Sequence, residues 1–82
     1  MHEVGLVMDM IDRVGEIIRR ETGVEVVAID VCIGEKSGVD CEAFEFAYMA
    51  AIVDTALAET RLRIRRTDGF DFQFESLEVK DV

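Results

Sequence analysis

The sequence predicts a small α/β (α+β) domain, a three-stranded sheet with two helices on one face in the order α-β-α-β-β. Three observations carry this. The first is a long stripe of apolar residues at three- and four-residue spacing near the start. The second is the run Val24 to Ile33, in which Val27, Ile29, Val31 and Ile33 alternate, and the third is a pair of alternating segments after Thr60. With 82 residues, half of them hydrophobic and none proline, the chain reads as one domain spanning 1–82.

The first helix runs from about Val4 to Glu21. Val4, Val7, Met8, Ile11, Val14, Ile17 and Ile18 form its apolar face, and Thr22-Gly23 ends it. A strand follows. Val27, Ile29, Val31 and Ile33 mark one face, while Val26, Ala28, Asp30 and Cys32 make an unusually apolar second face. Either this strand is central, or its outer face meets another surface, and a homodimer through it is one expectation. Gly34 stops the strand, and a second helix runs from Asp40, its N-cap, to about Ala56. Phe44, Ala47, Tyr48, Ala51, Ile52 and Thr55 make its buried stripe.

Leu62 and Ile64 then alternate with Arg61, Arg63 and Arg65, and Phe70, Phe72 and Phe74 with Asp71, Gln73 and Glu75. Joined through Thr67-Asp68-Gly69, these segments read as a hairpin pairing Ile64 with Phe72 and Leu62 with Phe74. The same register sets Arg65 opposite Asp71 and Arg61 opposite Glu75. The apolar parity changes between Phe74 and Leu77, which predicts either a bulge or the end of pairing near Glu75-Ser76.

The formal net charge of −9 repels phosphate backbones and anionic lipid, so neither nucleic acid nor a membrane surface is an expected partner. No apolar run has the length of a membrane span, and no signal peptide is visible, so a cytoplasmic location is the default. Cys32 and Cys41 are too few for a disulfide framework, and no C-x-x-C pair occurs, so no structural zinc is expected. The single histidine, His2, lies at a chain end, where catalytic geometry lacks support, so the chain does not read as an enzyme.

A metal suits that position better. The Met1 amine, the His2 amide nitrogen and the His2 imidazole can close two fused chelate rings around one ion. Three nitrogens in a plane suit Ni(II) or Cu(II) rather than tetrahedral zinc, and Glu3 or another acid can complete the shell. On spacing alone, a surface histidine is the commoner outcome.

Met1-His2-Glu3 and the amphipathic helix after it resemble the opening of the HypA family of nickel metallochaperones. Ile33-Gly34-Glu35-Lys36-Ser37-Gly38-Val39 is similar to that family's I-G-E-x-S-G-V loop. Glu42 to Tyr48 and Phe74 to Val79 resemble its second helix and last strand. The resemblance implies a nickel carrier serving [NiFe]-hydrogenase, in some organisms urease, in concert with a HypB-type GTPase. It makes His2 the nickel ligand, Glu3 its neighbour and Asp40 a further contributor. The chain departs from the family in two places. The zinc module that the family inserts between its last two strands is replaced by Thr67-Asp68-Gly69, and Cys41 stands where proline is common. The residues alone leave other readings open. Asp40 serves a helix as a cap, Gly34 and Gly38 serve turns, and the whole chain also fits a metal-free interaction module.

Overall fold

The computed structural model describes residues 2–82, with the backbone alone for His2. It contains α1 (His2–Arg20), β1 (Val24–Gly34), α2 (Cys41–Ile52), β2 (Arg61–Thr67) and β3 (Phe72–Asp81), in the predicted order. Val7, Met10 and Val14 of α1 and Phe44, Tyr48 and Ile52 of α2 pack on Val26, Ile29, Val31 and Ile33, so both helices cover one sheet face. Among the described residues no helix is long and apolar enough to cross a membrane.

Each helix corrects a detail of the sequence reading. On α1 the buried stripe is Glu3, Val7, Met10 and Val14, while Val4 and Met8 are exposed. On α2 the helix stops at Ile52, about a turn early, and Thr55 is exposed. Thr55 explains the stop. Its N–H and hydroxyl both donate to the Ile52 carbonyl, at 3.0 and 2.7 Å, and Asp54 beside it adopts a left-handed φ of 61°. Such local bonds compete with helix continuation.

The strand order is β2-β1-β3, with β1 parallel to β2 and antiparallel to β3. The expected β2–β3 hairpin is therefore wrong, because β1 lies between the two. β1 is apolar on both faces and takes the centre, while β2 and β3 each carry a wet face and take the edges. The α2 crossover then delivers β2 parallel to β1. Face assignments survive, since Leu62, Ile64, Phe72 and Phe74 all pack toward the core. The bulge expected near Glu75-Ser76 is present, with Val31 opposite Phe74 and Asp30 opposite Ser76, but its partner is β1. A second bulge at Val27 rotates Val26, rather than Val27, into the core.

Ion pairs that pass over β1 cover the outer sheet face. Arg63 bonds Asp30 at 2.7 Å and reaches Glu78 at 2.8 Å, and Arg65 bonds Glu75 at 2.7 Å. Ala28 and Cys32 beneath them are 0% and 1% exposed. The surface that motivated a homodimer through β1 is thus closed within the chain, and both edges of that strand are already paired.

Asp30 gives this lattice a pH dependence. The Arg63 hydrogen bond holds its carboxyl below the ordinary 3.8, against the opposing effect of desolvation. A lowered carboxyl stabilises the fold fully above its unfolded value and loses that contribution as pH falls through the folded one. Asp30→Asn should therefore lower the urea midpoint at neutral pH, and the deficit should shrink below pH 3.8. A deficit of the same size at about pH 3 would contradict the assignment.

The β2–β3 connection positions the candidate site. Thr67 ends β2 opposite Gly34, and Phe72 begins β3 opposite Ile33, so residues 68–71 must cross the end of β1. Crossing two strand spacings requires roughly 10 Å, within reach of four residues. The connection is tied down by Gly34 N–H to Asp71 O at 2.6 Å, Glu35 N–H to Thr67 O at 2.9 Å and Lys36 N–H to Gly69 O at 2.8 Å.

Candidate metal site

The loop from Gly34 to Asp40 carries the chain from β1 to the start of α2. Ser37 donates its N–H to Gly34 O at 3.1 Å, and its hydroxyl accepts the Val39 N–H at 3.1 Å. Gly38 turns at φ 85°, a region that glycine enters without a Cβ penalty. Asp40 then sits at φ −83°, ψ 115° and caps α2, its Oδ1 accepting the Ala43 N–H at 3.1 Å. Capping is the role that its residue type suggested. Cys41 is the first helical residue, a position that also suits proline, and its sulfur accepts a hydrogen bond from Arg66.

Glu3 meets this loop from the other side. Its Oε2 accepts the Asp40 N–H at 3.0 Å, and the side chain is buried between the starts of α1 and α2. The two helices begin side by side, each presenting N–H groups that have no acceptor within the helix. The positive ends of both dipoles favour an anion there. The Asp40 N–H, the largest influence, holds the Glu3 carboxyl down to about 2, so it is an anion throughout the physiological range. Sequence reasoning had not placed a structural bond at Glu3. The available signal was a carboxylate four residues before Val7, on the stripe that continues through Met10 and Val14.

Of the predicted site residues, Glu3 and Asp40 are therefore brought together. Met1 and the His2 side chain lie outside the described residues; the His2 backbone opens α1. Glu35 is exposed in the loop, its N–H donating to Thr67 O. Among the described residues no three His, Cys, Asp or Glu side chains cluster as a metal site.

Comparison with known proteins gives a consistent picture. Residues 1–70 match the family model described as hydrogenase/urease nickel incorporation, metallochaperone, hypA. A relative named hydrogenase maturation factor HypA from Pelodictyon phaeoclathratiforme is 36% identical over 69 residues, covering 84% of this chain and 59% of the relative. One of the same name from Chlorobaculum parvum is 40% identical, over 84% of the chain and 61% of the relative. The Deinococcus radiodurans relative is 35% identical, over 84% and 58%. The matched part of this chain thus spans about three-fifths of the length of these relatives. No solved structure matches it.

Proposed function

This chain belongs to the HypA family of hydrogenase/urease nickel-incorporation metallochaperones, and on that footing we propose that it carries Ni(II) as cargo. In a chain starting at Met1, the metal is held by the Met1 amine, the His2 amide nitrogen and the His2 imidazole. The His2 amide opens α1, where helical N–H groups have no intrahelical acceptor, so metal binding there breaks no helical hydrogen bond. A carboxylate completes the shell. Glu3 is adjacent in sequence, and Asp40, which caps α2 through one oxygen, has its second oxygen to offer.

The observation that carries this reading is the tie between Glu3 and the Asp40 N–H, which anchors the first turn of α1 against the I-G-E-K-S-G-V loop. Ligands on a chain end need such an anchor to hold a planar geometry. The protein is not an enzyme in this account. It passes nickel by ligand exchange to the large subunit of a [NiFe]-hydrogenase, in the cytoplasm and in concert with a HypB-type GTPase. It does so without structural zinc, since only residues 68–71 stand between β2 and β3 and no C-x-x-C pair occurs.

The chelate needs a free amine, which makes it testable by extension. Untagged protein should bind one Ni(II) per chain in preference to Zn(II), and a few residues added ahead of Met1 should abolish that binding. Ligand deprotonation also requires binding to weaken as pH falls through the ordinary imidazole range, near ~6.5. Equal nickel binding by the extended chain would refute the proposal. Separately, purified protein should hold no stoichiometric zinc, and a chelator should leave its melting temperature unchanged.

A further inference from the structure

The outer edge of β2 is unpaired. Among the described residues β1 is its one neighbour in the sheet, so alternate N–H and C=O groups between Arg61 and Arg66 point away from any strand. Proteins blunt such edges with bulges or prolines, and β3 is interrupted in this way at Glu75. β2 is not, since its register with β1 runs unbroken from Arg61 to Thr67 and the chain has no proline. Beside the open edge lies a groove between α2 and β2. Its floor is apolar, made by Tyr48, Ile52 and Leu62, with Met49 along it 62% exposed. Charge is divided across the groove. Glu45 and Glu59 stand off the strand, and Arg61 and Arg63 stand on it. Arg63 and Arg65 are held by acids and Arg66 by Cys41. Among the described residues the exposed Arg61 side chain has no such partner.

We propose that an extended segment of another protein adds to the sheet along this edge, alternating acidic residues outward with apolar residues inward. Bonding to a row of backbone groups requires the guest to be a strand. Residues directly opposite on paired strands share a face, so the guest's outward side chains lie beside Arg61 and its inward ones beside Leu62. An outward acid gives Arg61 the partner that it lacks. Inward, the floor accepts an aliphatic side chain, while Glu45 and Glu59 turn an acid away. A second copy does not fit through its own β2. With Ile64 on the two-fold axis Arg63 opposes Arg65, and with Leu62 there Arg61 opposes Arg63. The proposal does not depend on the nickel site, because Arg61 lies opposite Ala28, about 20 Å along β1 from Gly34.

The test uses the whole chain and a labelled peptide of about seven residues, valine alternating with glutamate and threonine. Binding should saturate below about 1 mM peptide, and alternate backbone amides of β2 should gain protection from hydrogen exchange by NMR. N-methylation of every second peptide nitrogen should abolish binding in one frame and spare it in the other, because one row of N–H groups faces β2. Met49→Ser should weaken binding by about tenfold. Arg61→Glu should weaken it by about fivefold and shift the preference to a peptide carrying lysine in place of glutamate. Both residues are exposed, so the fold should survive, which circular dichroism checks. Four results would overturn the proposal. They are no saturable binding, equal effects of the two N-methyl frames, indifference to Met49→Ser, and self-association in sedimentation that the peptide competes away. The last would make β3 of a second copy the occupant.

Discussion

Replacing Gly34 with alanine should leave little folded protein at growth temperature. A Cβ at this position would lie 2.3 Å from Gly69 O, 2.7 Å from Gly69 C and 2.9 Å from Asp71 N. All three are backbone atoms, so no side chain can swing away. The connection over the end of β1 must lift, and the bonds from Gly34, Glu35 and Lys36 to residues 67–71 are strained or lost together. Overpacking of this kind costs about 3 kcal/mol or more. In a domain this small, that lowers the melting temperature by roughly 15 °C. Gly5 is the control, because a Cβ there meets nothing within 4 Å and the residue lies inside α1. Gly5→Ala should be neutral or stabilising by up to about 1 kcal/mol. Thermal melts of the two variants check both expectations, and a Gly34→Ala protein that melts like wild type would show that the connection is not held as described.

Phe44→Ala should be nearly as damaging. Phe44 is 0% exposed and meets the Phe72 ring edge-on at 5.6 Å between centroids. Emptying such a site costs about 3–5 kcal/mol, a large part of what a small domain has. Phe46, two residues on, is 76% exposed, and its truncation should cost a few tenths of a kcal/mol. The contrast follows from helical geometry, which turns neighbours two apart to opposite sides of α2. Comparable destabilisation by both variants, in urea titrations followed by circular dichroism, would mean that α2 packs with a different face inward.

These residues also show how much of the fold was legible in the sequence. Periodicity found both helices and all three strands, and parity put Leu62, Ile64, Phe72 and Phe74 on the core side. Pairing was misread because alternation reports which way a side chain faces and not which strand lies beside it. The doubly apolar β1 held the missing signal, for a strand with two apolar faces belongs in the centre. Val27 was assigned to the core because a bulge is invisible to a strict period of two. Met8 was chosen over Met10 for a similar reason, since both lie within a helical stripe and only packing against the sheet decides between them. In the candidate site, Asp40 as cap and the turn glycine Gly38 were readable from residue type. The bond between Glu3 and the Asp40 N–H was not, because it joins residues 37 positions apart.

The most direct test of the central claim is titration calorimetry of Ni(II) into untagged wild-type protein and into His2→Ala. The chelate account predicts one nickel per chain in the wild type and loss of that site in the variant, with the fold unchanged because His2 only opens α1. Nickel bound by His2→Ala with the same stoichiometry and affinity would place the metal elsewhere and contradict the account.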